Sequence, residues 1–140
     1  MSSGPACVLT VLGSCVSVTM FNERLGVGAI CHALLPRKTG GGDDFKYVDS
    51  SILQMIKAFE RLKISRQEIE VKLFGGADMF QAEAGNYWLT SIGQQNVKTA
   101  LRTLESENLR LLASDVGGRS GRKLYYYMHE NRVFIKRLKK

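Results

Sequence analysis

The spacing of apolar and polar positions predicts a chain of strands interrupted by two helices. Period-two alternation and short apolar runs bounded by turn residues are typical of strands. Seven strands are predicted, at residues 8–12, 16–21, 26–35, 69–74, 109–114, 123–127 and 132–138. Pro36 ends the third strand, and the polar residues 129–131 form the turn of a hairpin between the last two.

A helical period of 3.6 residues replaces this alternation in two segments. Residues 47–62 carry apolar side chains at helical spacing and predict an amphipathic helix. A second helix is predicted to begin after Ser91, which is a typical N-cap residue. Its apolar face is predicted to comprise Val97, Leu101 and Leu104.

The predicted elements follow the order β-β-β-α-β-α-β-β-β, with no repeat or interdomain linker. This order predicts an α+β fold with a layered, β-sandwich-like core and two main helices packed on the sheets. A single domain over residues 1–140 is expected. Residues 38–44, with three successive glycines, predict a mobile loop. Irregular structure is predicted up to Tyr87 and Trp88, and a loop at 115–122.

Composition agrees with an ordinary soluble domain. Hydrophobic residues make up 44% of the chain and charged residues 24%. No apolar run reaches the roughly 20 residues of a membrane-spanning helix, and the N-terminus lacks the features of a signal peptide. We therefore expect a cytoplasmic protein without membrane insertion.

Cysteine usage argues against a disulfide framework and against structural zinc. The cysteines are Cys7, Cys15 and Cys31, an odd number without CxxC spacing. A metal site made of these thiols and His32 is a minor alternative, so no metal is predicted. Cys7 and Cys31 are predicted to be small core residues.

The net charge of +7 is concentrated toward the C-terminus. Phosphate neutralisation in nucleic-acid binding is one explanation. A solvated basic tail, or attraction to an acidic protein partner, is the other. Because no nucleic-acid-binding motif accompanies the charge, no nucleic-acid partner is predicted.

Two segments carry the candidate chemistry. Cys15 follows the turn residues Gly13 and Ser14, and a thiol on such a turn lies beside backbone N–H groups suited to an oxyanion. His32 lies near the end of the next apolar run and is a candidate general base. The alternatives are a buried structural cysteine and a core histidine. A short turn after residue 21 allows the two strands to pair and bring both side chains together.

Five sequence blocks in one order resemble the CheD family, the chemoreceptor glutamine deamidases of bacterial chemotaxis. They are LGSCV at 12–16, CHALLP at 31–36, FGGADMF at 74–80, SIGQQNV at 91–97 and DVGGRSGRK at 115–123. The resemblance covers most of the chain. It implies an α/β sandwich and a cysteine-dependent hydrolase that converts receptor glutamine to glutamate through a thioester. No cofactor is implied.

The resemblance assigns Cys15 as the nucleophile and His32 as the general base. The family also uses a threonine on the preceding strand, and the position six residues before the cysteine is Leu9 here. Its neighbour Thr10 is the candidate third member. In a regular strand a shift of one residue points the side chain to the opposite face. A bulge near Val11 is therefore expected if Thr10 takes this role.

The resemblance also implies protein partners. The expected substrates are chemoreceptor cytoplasmic domains, and a CheC-type phosphatase is an expected regulatory partner. A mainly non-catalytic docking protein is the alternative function. Leu9 at the threonine position slightly favours docking, whereas intact Cys15 and His32 favour the enzyme.

Overall fold

The computed structural model describes residues 1–2, 4–79 and 91–138. Within them, strands and helices follow the predicted order. The strands are β1 (Cys7–Leu12), β2 (Val16–Asn22), β3 (Val27–Ile30), β4 (Glu70–Gly75), β5 (Leu111–Val116), β6 (Arg122–Tyr127) and β7 (Arg132–Arg137). The helices are α1 (Val48–Arg61) and α2 (Ile92–Ser106).

A four-stranded sheet forms the middle layer, in the order β3-β2-β4-β5. Its pairs are antiparallel except β4 with β5, which are parallel. Every residue of β2 is buried, because this strand is covered on both faces. One face packs against α1 and α2, where Val18, Ile52 and Leu104 belong to one apolar cluster.

A three-stranded antiparallel sheet, in the order β1-β6-β7, covers the other face. Leu12, Leu124 and Tyr126 from this sheet cluster with Phe74 of β4. The two sheets with helices on one side form the layered α+β core that the sequence predicts. No described helix is long and apolar enough to cross a membrane.

Several local predictions need correction. Regular strand β3 ends at Ile30 rather than at residue 35, although two further backbone hydrogen bonds join Ala33 to Val16 of β2. Leu101 is exposed, because the buried stripe of α2 runs through Gly93, Asn96, Ala100 and Leu104.

The two cysteines predicted for the core differ from each other. Cys31 is buried as predicted, whereas Cys7 is exposed because alternation along β1 points its side chain outward. Burial raises the pKa of the Cys31 thiol to about 11. The predicted loop at 115–122 is shorter than expected, since its ends belong to β5 and β6. The predicted irregular stretch around Tyr87 and Trp88 lies outside the described residues.

Candidate active site

The pairing of β2 with the chain that follows β3 places Cys15 and His32 on one face. Val16 N–H donates to Ala33 O at 3.0 Å, and Ala33 N–H donates to Val16 O at 2.8 Å. In this antiparallel register Cys15 lies opposite Leu34, and His32 lies two positions along the neighbouring strand. Such diagonal neighbours are about 7–8 Å apart between Cα atoms, within reach of long side chains. Both side chains therefore point toward the three-stranded sheet.

A threonine from the opposite sheet reaches the histidine. Thr10 Oγ1 of β1 lies 2.7 Å from His32 Nδ1, a hydrogen-bonding distance. Cys15 is half-buried and packs against the apolar cluster between the sheets. The three residues singled out in the sequence thus lie at one edge of the inter-sheet space.

Thr10 reaches His32 without the bulge that the sequence suggests. The pairing of β1 with β6 is continuous from Cys7 to Leu12. Alternation turns Thr10 and Leu12 inward and leaves Leu9 53% exposed. The prediction that a regular strand points Thr10 away from the site is therefore wrong. Leu9 does not occupy the third position.

The turn that carries Cys15 is held by the chain after β4. Gly76 N–H donates to Cys15 O at 2.8 Å, and Ala77 N–H donates to Gly13 O at 3.0 Å. Gly75 has a φ of 100°, and a Cβ atom there would lie 2.3 Å from Cys15 O. Only glycine permits this close approach of the two backbones.

A buried amide fixes the same turn from the helical side. Asn96 of α2 is fully buried, and its Nδ2 donates to Ser14 O at 2.9 Å and to Leu34 O at 3.0 Å. Ser14 immediately precedes Cys15 in the chain, and Leu34 lies opposite Cys15 on the neighbouring strand. One amide group therefore joins the segment that bears the thiol to the segment that bears His32.

Sequence reasoning missed Asn96. The available signal is its position at helical spacing with Gly93, Ala100 and Leu104, which places a polar side chain within a small and apolar stripe. A buried amide must find hydrogen-bond partners, so its presence there indicates a defined polar contact.

Arg122 stabilises the backbone next to the Cys15 turn. Its side chain is 1% exposed, and its Nε donates to Asp115 Oδ1 at 3.1 Å. Its remaining N–H groups donate to Gly117 O at 2.8 Å and Gly75 O at 3.4 Å. This buried cation is paired and hydrogen-bonded, which a guanidinium in the interior requires. It fixes Gly75, which contacts the Cys15 turn.

Burial sets the protonation preferences of the site in the free protein. Burial raises the pKa of the Cys15 thiol, and the thiol's own backbone N–H opposes this shift. Partial burial lowers the pKa of His32. Both shifts favour the neutral forms. The directions are opposite to those of a resting thiolate–imidazolium pair.

The described residues contain no group of three or more His, Cys, Asp or Glu side chains arranged to hold a metal ion. The chemistry available within this part of the chain is that of a thiol, an imidazole, a hydroxyl and backbone N–H groups.

Comparison with known proteins assigns the family. The family model described as CheD chemotactic sensory transduction matches residues 34–137. The chain belongs to the CheD family. A probable chemoreceptor glutamine deamidase CheD 2 of Geobacter sulfurreducens is 50% identical over 135 residues, covering 96% of this chain and 81% of the relative.

More distant CheD relatives match over a similar span. A probable chemoreceptor glutamine deamidase CheD of Maridesulfovibrio salexigens is 40% identical, covering 97% of this chain and 85% of the relative. One of Pyrococcus abyssi is 39% identical, covering 91% and 78% respectively. The resemblance noted from the sequence blocks is therefore confirmed.

Several of the CheD sequence blocks supply residues that hold the turn around Cys15. The FGGADMF block supplies Gly75 and Gly76, which contact the Cys15 turn. The SIGQQNV block supplies Asn96, and the DVGGRSGRK block supplies Arg122. Residues far apart in the chain thus hold one turn in place.

Proposed function

We propose that this CheD protein hydrolyses glutamine side-chain amides of chemoreceptors to glutamate, with Cys15 as the nucleophile and His32 as general base and acid. The observation that carries the proposal is the 2.7 Å contact of Thr10 with His32, on the face that also bears Cys15. Relatives across most of the chain bear the name chemoreceptor glutamine deamidase. Ammonia release from a receptor cytoplasmic fragment tests the proposal.

Thr10 acts in this proposal as a positioning residue for the imidazole. A neutral imidazole has one N–H and one acceptor nitrogen. When His32 Nδ1–H donates to Thr10 Oγ1, Nε2 is the acceptor that is free to take a proton. In that tautomer Thr10 orients the imidazole ring and leaves Nε2 free to serve as the base.

The first half of the reaction forms a thioester. Cys15 Sγ attacks the side-chain carbonyl carbon of glutamine while the thiol proton passes to His32 Nε2. The carbonyl oxygen becomes an oxyanion, for which the Cys15 backbone N–H is the candidate donor. The C–N bond then breaks, and the imidazolium gives its proton to the leaving nitrogen. Ammonia departs and the acyl group stays on sulfur.

The second half returns the enzyme to its starting state. His32 takes a proton from water, and the hydroxide attacks the thioester carbon. The C–S bond breaks, and the proton on His32 returns to the sulfur. The product is a glutamate carboxylic acid, which ionises at neutral pH. No metal or cofactor is needed to balance these steps.

Asn96 acts as a second positioning residue by orienting one peptide group. The C=O and N–H of a trans peptide point in opposite directions. Because Asn96 binds Ser14 O on the helical side, the Cys15 N–H of the same peptide points away from α2. The thiol lies on this side too, since Cys15 packs against the cluster between the two sheets and not against the helices. Asn96 therefore keeps an oxyanion donor aimed at the reacting carbon.

We expect Thr10→Val to lower kcat/KM for receptor deamidation by roughly tenfold to a hundredfold, about 1.4–2.7 kcal/mol of barrier. Valine matches threonine in shape but removes the hydroxyl that contacts His32 Nδ1. Thr10→Ser is the matched control, because it keeps the hydroxyl and should retain most of the activity. Steady-state kinetics on one receptor fragment measures both. Equal activity of Thr10→Val and wild type would remove Thr10 from the mechanism.

We expect Asn96→Ala to lower kcat by roughly tenfold to a hundredfold with little change in KM, since the oxyanion donor is misaligned rather than the substrate surface. It should also destabilise the fold by about 1–3 kcal/mol for each carbonyl left unpaired. The pH midpoint of Cys15 alkylation should rise, because the thiolate loses an aligned N–H.

Leu104→Ala on the same helix is the control for the stability effect. Leu104 is buried in the helical layer, and its truncation costs about 2–5 kcal/mol. Under conditions in which both variants are folded, Leu104→Ala should leave kcat and the pH midpoint of Cys15 alkylation unchanged. Identical behaviour of the two variants would reduce Asn96 to a purely structural residue.

A CheC-type phosphatase is the second partner that we propose for this family member. The argument for a mainly non-catalytic docking protein depends on Leu9 replacing the threonine. Since Thr10 contacts His32, that argument no longer holds. Binding of the CheC-type protein to wild-type and Cys15→Ala protein by calorimetry separates docking from catalysis. Equal affinities are expected, since docking does not require turnover.

A further inference from the structure

One face of the three-stranded sheet has no layer packed on it among the described residues. Alternation points one set of side chains away from the four-stranded sheet, and we call these residues the open face. They are Cys7, Leu9, Val11, Lys123, Tyr125, Tyr127, Arg132, Phe134 and Lys136. Leu9, Val11 and Phe134 are each 53% exposed. A contiguous apolar patch of this kind typically marks an interaction site.

The register arranges the open face into an apolar centre with a basic end. Leu9 pairs with Tyr125, which pairs with Phe134, and Tyr127 contacts Phe134 edge to face with centroids 5.7 Å apart. Val11 pairs with Lys123, which pairs with Lys136. Aromatic side chains such as Tyr125 and Phe134 are enriched in protein interfaces.

The two lysines face each other without an anion. Lys123 and Lys136 are directly opposite in the β6–β7 register, and like charges in that position destabilise a sheet. Neither is in an ion pair with a described residue. The carboxylate of Glu130 lies at the far end of the face, 3.8 Å from Arg132, and leaves the two lysines unpaired. A carboxylate from another molecule would offset this repulsion, so the surface is complementary to an acidic partner.

The basic end lies beside the candidate active site. The row of Val11, Lys123 and Lys136 is followed along β1 by Leu12 and the turn that carries Cys15. Thr10 and Val11 are neighbours on opposite faces of β1. A molecule bound along the open face is therefore close enough to present a second segment to the site.

We propose that the open face is a docking surface for an acidic, amphipathic segment of the receptor substrate, separate from the glutamine that reacts. The proposal rests on the proposed deamidase function and names the surface that selects its substrate. Apolar side chains of the segment pack on Leu9 and Phe134. Its carboxylates pair with Lys123 and Lys136.

The test compares charge reversals on two layers of the protein. We expect Lys123→Glu with Lys136→Glu to raise the Kd for a receptor cytoplasmic fragment about tenfold or more. The control is Lys57→Glu with Arg61→Glu on α1, where two exposed cations change by the same charge. The control should change Kd by less than about twofold. Calorimetry in a Cys15→Ala background measures binding without turnover.

Two further variants keep the test valid if the double reversal folds poorly. Lys136→Glu alone creates a favourable pair with Lys123, so it should fold at least as well as wild type and still weaken binding. Phe134→Ser tests the apolar centre at an exposed position. In the active protein, both should raise KM for the receptor fragment and leave kcat/KM for a short glutamine peptide unchanged.

Each outcome decides the proposal. Equal effects of the open-face and α1 reversals would overturn it, as would unchanged affinity in all open-face variants. A self-association detected by sedimentation and abolished by Phe134→Ser would assign the face to a second copy and also overturn it. Absence of deamidation by the wild type would contradict the proposed function. The comparison of Kd values by calorimetry would still test docking in that case.

Discussion

Cys15→Ala is expected to abolish receptor deamidation, with a loss of at least about a thousandfold in kcat. A variant without the thiol cannot form the thioester, and loss of a nucleophile removes the covalent route entirely. The fold should persist, because Cys15 is half-buried and its turn is held by backbone contacts and by Asn96. Ammonia release and thermal unfolding measure the two effects separately.

The other cysteines provide matched controls for this result. Cys7 is exposed on the open face, so Cys7→Ala should leave turnover on a short glutamine peptide unchanged. Cys31 is buried, so Cys31→Ala should lower stability but not kcat. Full activity of Cys15→Ala, or complete loss in Cys7→Ala, would reject the assignment of Cys15 as nucleophile.

His32→Ala is expected to lower kcat by roughly a hundredfold to ten-thousandfold, the usual contribution of a general acid–base group. The pH profile gives a second readout. Because partial burial lowers the pKa of His32, its base form persists to pH values below the ordinary histidine range. The acid limb of kcat/KM in the wild type should therefore lie below that range. His32→Ala should eliminate this limb.

We expect the Cys15 thiol of the free enzyme to lose its proton only at a pH above the ordinary range for thiols. Burial raises the pKa of Cys15, so its alkylation rate should increase only above the ordinary thiol range. Because burial favours the neutral form of both groups, we expect His32→Ala to leave this midpoint nearly unchanged. A midpoint well below the free thiol range that rises in His32→Ala would instead establish a thiolate–imidazolium pair and contradict this account.

Local periodicity predicted the helices and strands of the fold, but it did not predict the burial of every residue within them. Strand β1 and helix α1 follow the alternation and the 3.6-residue spacing closely, because each has one face in the core. Leu101 was misplaced because α2 buries small and polar residues, Gly93 and Asn96, where α1 buries large apolar ones. Hydrophobicity alone does not identify such a stripe.

The candidate site shows the same division between local and tertiary information. A turn signal and a strand end, both of them local, made Cys15 and His32 candidates, and the resemblance to the CheD family assigned their roles. The inward direction of Thr10 depends on how β1 packs across the other sheet. Asn96 contacts Ser14 across 82 positions of sequence, and no local pattern contains that contact.

The mass of a receptor cytoplasmic fragment after incubation with the protein tests the central claim most directly. Each glutamine converted to glutamate adds about one dalton, because NH₂ becomes OH in the acyl transfer to water. We predict this gain at specific glutamine-containing peptides with the wild type, and no gain with Cys15→Ala. An unchanged mass with folded wild type bound to the fragment, or the same gain with Cys15→Ala, would contradict the account.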